Sequence, residues 1–265
     1  MRALFFLVVF VLPVGASHGQ TIFSRPYETN QLTVETLAPD TPQDAQFPSG
    51  ALFVTGTLSL SDNIEIAGEL PVARYTPSNG PRSTTTAIGN PYLGLGFSST
   101  SVPVFFQLGA RLPTAPQNRA TAIGRQADVG RLQAFRHEEF VFSGLLNGRL
   151  SLGRSTSLRL RYGLAYASYP APAGASDRRD RDWRTQYEAQ IWHEGDRLIS
   201  GLSLTGRATL THPGGTQHHA TLSVMGNWNR VQPGVIAGTS LNDLVRQGDV
   251  SPFVGITLSI AYLRR

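Results

Sequence analysis

Ser157-Leu158-Arg159-Leu160-Arg161-Tyr162-Gly163-Leu164-Ala165-Tyr166 decides the fold. Leucine and tyrosine hold every even position; serine, arginine, glycine and alanine hold every odd one. A repeat of two is that of a β-strand, whose successive side chains point to opposite faces. One face of this strand is therefore apolar and the other polar. Just before it, Gly153-Arg154-Ser155 reads as a short turn. Before that turn the same alternation runs backwards, with Phe140, Phe142, Leu146 and Leu150 opposing Ser143, Asn147 and Arg149.

The pattern extends along the chain from residue 50. Leu52, Val54, Leu58 and Leu60 oppose Thr55, Thr57 and Ser59, and Ile64, Ile66, Leu70 and Val72 oppose Glu65, Ala67 and Glu69. Leu93, Leu95 and Phe97 oppose Tyr92, Gly94 and Gly96; Val104, Phe106, Leu108 and Leu112 oppose Phe105, Gln107 and Arg111. Tyr187, Ala189 and Ile191 oppose Arg184, Gln186, Glu188 and Gln190; Leu202, Leu204, Ala208 and Leu210 oppose Ser203, Thr205, Arg207 and Thr209. Ala220, Leu222 and Val224 oppose Thr221, Ser223 and Asn227, and Val254, Ile256, Leu258, Ile260 and Tyr262 close the series. Two weaker segments, Gln31–Leu37 and Val231–Gly238, bring the count to about twelve; without them it is ten. An even number is what a single-chain bacterial barrel requires.

Connections between the segments alternate in length. Short turns fall at 61–63, 99–101, 153–155, 194–196 and 229–230; long polar loops fall near 75–87, 113–137, 169–182, 212–217 and 239–251. A barrel closed in a membrane has two unequal rims of this kind. The expectation is an all-β fold, a single antiparallel up-and-down transmembrane β-barrel. Its turns and both chain ends face the periplasm, and its loops face outward. Phe97, Phe140, Tyr166, Trp228 and Tyr262 stand near segment ends, as an aromatic girdle does.

Composition agrees. Charged residues make up 15% of the 265, against roughly a quarter in ordinary soluble domains. The net charge is +5 and every basic residue is arginine. The arginines are scattered, with no basic helix or aromatic-interleaved patch, so no nucleic-acid partner is expected. There is no cysteine, which excludes disulfides and thiolate chemistry. Met1-Arg2, the apolar run Ala3–Val14 and Ser17-His18-Gly19 read as a secretory signal over residues 1–19, leaving a barrel domain over 20–265. The run is shorter than the roughly 20 residues of a membrane-spanning helix. Helical patterning is nearly absent, with one turn expected near Leu241–Arg246.

On a barrel the polar face is the lumen. The lumen-lining candidates are Glu65, Glu69, Gln107, Arg111, Arg149, Arg159, Arg161, Arg184, Glu188 and Arg207. Charged linings tune the selectivity of a pore, and the excess of arginine favours anionic solutes. The alternative is a plugged structural or surface-interaction barrel, whose interior is polar only to be filled. A third reading is a barrel-embedded hydrolase, which needs Ser, His and an acid converging near one rim, and its signals are thin. His193-Glu194 falls in a turn, and His218-His219 opens a strand without a nucleophile elbow or further ligands nearby. No catalytic residue, metal site or cofactor is expected, and the chain reads as a non-enzyme. Ile88-Gly89-Asn90-Pro91 and Gly94-Leu95-Gly96 read as glycines of a tightly packed strand.

Three stretches carry a family resemblance. Leu58-Ser59-Leu60-Ser61-Asp62-Asn63-Ile64-Glu65-Ile66-Ala67-Gly68-Glu69-Leu70-Pro71, Ala87–Leu95 and Leu108-Gly109-Ala110-Arg111-Leu112-Pro113-Thr114 resemble the MetA-pathway phenol-degradation, transporter-like group of bacterial outer-membrane barrels. The resemblance covers mostly residues 50–115. It implies a barrel in the outer membrane of a Gram-negative bacterium and uptake of small, often aromatic compounds. The implied partners are outer-membrane lipid, the barrel-assembly machinery and a small-molecule solute. Such barrels usually end on an aromatic residue; this chain ends Tyr262-Leu263-Arg264-Arg265, and Tyr262 is the residue that would serve.

Overall fold

A computed structural model describes residues 30–39, 49–78, 83–98, 103–127, 129–171, 179–211, 216–228, 230–241 and 252–262. The strands in chain order are β1 (Gln31–Pro39), β2 (Gly50–Ser59), β3 (Ile64–Tyr75), β4 (Thr85–Ile88), β5 (Tyr92–Ser98), β6 (Val104–Arg111) and β7 (Phe140–Ser151). They continue as β8 (Thr156–Pro170), β9 (Arg179–Glu194), β10 (Leu198–Thr209), β11 (Gln217–Gly226), β12 (Val231–Ser240) and β13 (Pro252–Ala261). All pairings are antiparallel, and β1 pairs with both β2 and β13, which closes the sheet on itself. Twelve strands form the barrel. The short β4 pairs with β3 alone, above the pairing of β3 with β5.

Both weak segments of the sequence are strands, so the count is twelve and not ten. β1 is the closing strand, with Gln31 opposite Ala261 and Pro39 opposite Phe253. Without it β2 and β13 would present unpaired edges, which lipid does not tolerate. The weakness of β12 comes from Pro233, which has no N–H to give. Its ladder with β11 ends beside it, at Met225–Gly234, where a proline costs little.

The faces lie as a membrane barrel demands. Leu70, Leu93, Phe106, Leu146, Leu160, Leu202, Leu222 and Ile256 are all exposed on the outside. Thr33, Thr55, Gln107, Asn147, Glu188, Ser203, Ser223 and Thr257 are buried inside. A soluble sandwich would reverse this. Phe97, Trp228 and Tyr262 are exposed near strand ends, and Tyr166 packs edge-on against Trp183 at 5.4 Å.

One rim is stitched by hydrogen bonds between neighbouring turns. Ser98 N donates to Asn63 O at 2.9 Å, Arg149 N to Pro103 O at 3.0 Å, and Asn227 N to Arg197 O at 2.9 Å. The first and last described residues join this rim, with Tyr262 N donating to Asn30 O at 3.0 Å and Asn30 Oδ1 accepting from Ser59 N at 2.9 Å. The turn residues 99–101 and Asn229 lie outside the described residues, as do the signal segment 1–19 and most of Leu241–Arg246.

The other rim departs from expectation in three places. In the loop expected near 75–87, Thr85–Ile88 is β4, paired with Val72–Tyr75 of β3. The loop expected at 169–182 is shorter, because β8 and β9 continue as a protruding hairpin with Tyr169 opposite Asp180 and Pro170 opposite Arg179. The loop expected at 113–137 is not a plain loop. It carries a helix, α1 (Arg119–Ala127), followed by a 3-10 segment over Val129–Phe135 kinked at Arg131.

Candidate functional site

The helix begins at Asn118, whose Oδ1 accepts from Thr121 N at 3.0 Å. This is an N-cap contact, satisfying a backbone donor that the first turn leaves free. Ala120, Ile123, Gly124 and Ala127 follow at the spacing of one helical face and are buried. They meet the inward side of the β1–β4 wall in one apolar cluster with Leu37, Ala51, Phe53, Ala73, Tyr75, Ala87, Ala134, Phe135, Ile236 and Phe253. Small residues on both surfaces allow the close approach. At Gly89 a Cβ would stand 2.2 Å from the carbonyl oxygen of Ala134, so only glycine fits there. The segment 112–139 thus folds into the barrel at its loop end.

Arg131 anchors it. Its guanidinium lies 3.7 Å from the ring centroid of Phe53. Its Nη2 meets Glu35 at 2.5 Å and its Nη1 meets Glu69 at 3.2 Å. The register explains the cradle. Glu35 of β1 is opposite Phe53 of β2, and Glu69 of β3 is opposite Thr55, so two inward carboxylates flank one inward ring. A planar, permanently charged fork suits this niche, where a lysine would not. Arg111 of β6 also binds Glu69, at 2.6 Å, and donates to Asn90 O at 3.0 Å.

Asn90 fastens both ends of the segment. Its Nδ2 donates to the carbonyls of Gln133 at 2.9 Å and Arg136 at 2.7 Å. Its Oδ1 accepts from Thr114 N at 2.9 Å and Ala115 N at 2.8 Å. On the far side of the lumen, Nη2 of Arg207 donates to Gly130 O at 2.9 Å. β10 is nearly opposite β2 in the ring of strands. The segment therefore crosses the interior and is held at both walls.

Nine of the ten sequence-derived candidates, Glu65, Glu69, Gln107, Arg111, Arg159, Arg161, Arg184, Glu188 and Arg207, are buried in the interior. Arg149 differs, with its side chain 29% exposed at the turn rim. The structure joins several of them. Arg161 meets Glu188 at 3.3 Å and donates to Asn147 Oδ1 at 2.7 Å. Arg149, at 2.8 Å, and Arg159 share Glu194. Arg184 binds Glu139 at 2.7 Å and Asp182 at 3.0 Å. Glu65 Oε1, both amide atoms of Gln107, Asn147 Nδ2 and Arg207 Nε have no hydrogen-bond partner among the described residues. At the turn end the interior becomes apolar again, with Trp192, Ile199 and Met225 packed together.

The residues that the alternation did not single out are Glu35, Phe53, Asn90, Arg131 and Glu139. Glu35 and Phe53 sit at inward positions of their strands and were within reach of the period-two reading. Arg131 and Asn90 act through the fold of the inward segment, which no local pattern encodes.

The histidines are dispersed. His193 Nδ1 faces Thr156 Oγ1 at 3.3 Å, His218 Nε2 meets Tyr187 Oη at 2.7 Å, and His219 is buried inside. Among the described residues no group of three or more His, Asp or Glu is placed to hold a metal ion.

No protein-family model matches this chain, and no curated protein sequence is similar to it. Solved structures do match in fold. The KdgM porin in complex with disordered oligogalacturonate is similar over 88% of this chain and 99% of its own, with 9% identity and a TM-score of 0.52. LpxR from Salmonella typhimurium is similar over 88% and 100%, with 10% identity and a TM-score of 0.53. An outer membrane channel from Pseudomonas putida F1 is similar over 94% and 99%, with 13% identity and a TM-score of 0.52. At these identities the likeness is one of fold, and the fold is that of outer-membrane β-barrels.

Proposed function

We propose that this barrel sits in the outer membrane of a Gram-negative bacterium and binds and passes small solutes, aromatic or anionic, through a lumen narrowed by the inward segment. The signal over residues 1–19 would deliver it, and the stitched turn rim would face the periplasm. One observation carries the reading. A barrel filled only for structure satisfies its buried polar groups, because each one left unmatched costs stability. Here Glu65 Oε1, both amide atoms of Gln107, Asn147 Nδ2 and Arg207 Nε are buried with no hydrogen-bond partner among the described residues. These atoms are enclosed by the surrounding side chains, so we read them as groups that water or solute would meet when the inward segment shifts. The motif resemblance to the phenol-degradation group supports small aromatic compounds as the cargo. We read the chain as non-enzymatic: His193 meets Thr156, His218 meets Tyr187, and the sequence offers no nucleophile elbow.

The second reading is the plugged barrel, favoured by the tie from Arg131 to Arg207 across the interior. Planar-bilayer conductance and liposome swelling with the purified full-length protein separate the two. Discrete conductance steps and solute-dependent swelling are expected. A protein that inserts, shows no conductance and admits no solute is a plug.

A further inference from the structure

We propose that the outward face of the β8–β9 hairpin is a docking surface for the phosphate groups of outer-leaflet lipid. The inference rests on the outer-membrane reading and is independent of solute passage.

The run Arg179-Asp180-Arg181-Asp182-Trp183-Arg184 is sorted by the strand itself. Its odd positions continue the lipid-facing row of Tyr187 and Ile191, and its even positions continue the inward row of Glu188. A period of two therefore parts the charges. Asp182 is buried inside, where it meets Arg184 at 3.0 Å. Asp180 stands opposite Tyr169 on the same face, and its Oδ1 accepts from the backbone N of Arg181 at 2.8 Å. Arg179 and Arg181 are left exposed on the outer face. Neither forms an ion pair with a described carboxylate.

The row beneath them marks the depth. Phe142 is opposite Tyr166, and Tyr166 is opposite Trp183, so three aromatic side chains stand together on neighbouring strands. Phe142 and Trp183 are exposed, and Tyr166 packs on Trp183. Aromatic rows of this kind lie where hydrocarbon meets headgroups. Arg181 is two residues beyond Trp183 and Arg179 is four. With a rise of about 3.3 Å per residue and a strand tilt of about 40°, they stand about 5 and 10 Å higher. The headgroup layer is about 5–7 Å deep. Arg181 thus lies within that layer, and Arg179 at its upper edge. Arg179 is braced in place. Its Nε donates to Ser168 Oγ at 3.1 Å, and its Nη2 donates to the carbonyl oxygens of Ser168 at 3.0 Å and Glu138 at 2.9 Å. These partners are neutral, so they hold the guanidinium without discharging it. A phosphate at this depth accepts from two exposed forks, whose geometry fits it. The surface is continuous with the lipid-facing wall below, so the lipid that covers the aromatic row brings its headgroup to the arginines.

The probe is diphosphoryl lipid A in dodecyl maltoside micelles. Its comparators are the same lipid with both phosphates removed, and inorganic phosphate alone. Binding to the full-length protein is measured calorimetrically, and heat-modified gel mobility confirms that each variant is a folded barrel. The phosphorylated lipid is expected to bind about tenfold tighter than its dephosphorylated form, or more. Arg181→Gln should weaken it about fivefold, and Arg181→Gln together with Arg179→Gln about 25-fold, the scale for basic residues at a charged membrane surface. Arg181→Lys keeps the charge and should keep most of the affinity. Added salt should weaken the native protein far more than the double variant. Leu222→Ala, on the lipid face of β11, should change nothing. Equal affinity for the two lipids overturns the proposal, and so does native binding by the double variant. Inorganic phosphate that binds as tightly as the lipid overturns it too, because it marks an ion site and not a lipid surface. Fractionation of the tagged protein tests the membrane reading separately. Recovery in the outer membrane without any phosphate preference sinks the docking surface alone. Recovery elsewhere with the preference intact removes the location and leaves a surface that recognises phosphorylated lipid.

Discussion

The wall of β1, β2 and β3 and the wall of β8, β9 and β10 share one alternation, polar inward and apolar outward, yet their interiors differ. The first is covered by α1 and the 3-10 segment, and two of its three inward carboxylates, Glu35 and Glu69, are locked by arginines that come from elsewhere in the chain. The second is bare of any such cover in its middle. There Arg161 pairs with Glu188 of the neighbouring strand, while Arg207 reaches out to the segment's backbone. The difference shows that an inward charge acquires its role from what descends on it. Under the segment, charges clasp a piece of chain brought in from elsewhere; on the second wall, Arg161 and Glu188 pair with each other across neighbouring strands.

The most damaging change is expected at the clasp. Arg131→Ala takes a guanidinium away from both Glu35 and Glu69 and removes the cation from Phe53. Breaking a buried ion pair from one side costs about 3–5 kcal/mol. Urea unfolding in liposomes, followed by tryptophan emission, should show that loss. Freed from the wall, the segment should narrow the lumen less, and single-channel conductance should rise severalfold. Lower stability with unchanged conductance would mean that the covered wall does not set the constriction.

The open wall should respond less. Arg161→Gln removes the partner of Glu188, but Glu188 keeps a hydrogen bond from Thr205 Oγ1 at 3.1 Å. The hydrogen bond from Arg161 Nε to Asn147 Oδ1 at 2.7 Å is lost with it, and the expected cost is about 1.5–3 kcal/mol, the range for a hydrogen bond to a charged group. Single-channel conductance should stay close to native, because no part of the inward segment rests on Arg161. A conductance jump as large as that of Arg131→Ala would erase the distinction between the walls.

The hinge of the covered wall comes next. Gly89→Ala puts a Cβ against Ala134 O and the ring of Phe135. Overpacking of this kind costs about 1–3 kcal/mol. It should raise conductance modestly, since it pushes the segment off the wall without cutting the Arg131 clasp.

What the sequence discloses tracks the distance over which each feature is encoded. The strand faces are legible because a period of two needs only neighbours, and even β1 and β12 show it. The inward burial of Glu69, Arg111 and Arg207 follows from that same count. The helix is harder to see. Ala120, Ile123, Gly124 and Ala127 have the spacing of one helical face, and Asn118 stands at the cap with Thr121 three residues on. Yet alanine and glycine carry that face, so it lacks the bulk that marks an amphipathic helix. Small residues are used because the helix must lie against Ala51, Ala73 and Ala87. The clasp is out of reach altogether. Arg131 lies 62 residues from Glu69 and 96 from Glu35, and only the closed barrel brings them together.

The smallest effect is expected at the turn rim, and it tests whether burial or mere pairing sets the scale. Arg149 meets Glu194 at 2.8 Å, but the two side chains are 29% and 32% exposed. Water and salt screen such a pair, and exposed pairs are worth about 0–1 kcal/mol. Glu194 is also held by the buried Arg159, so Arg149→Gln leaves no carboxylate stranded. The unfolding midpoint should barely move at low salt and not at all at high salt, with conductance native. The contacts of Arg149 and Arg131 are of comparable length, so distance alone would rank the two variants together. If Arg149→Gln proves as costly as Arg161→Gln, the ranking by burial fails, and the contrast between the covered and open walls loses its physical basis.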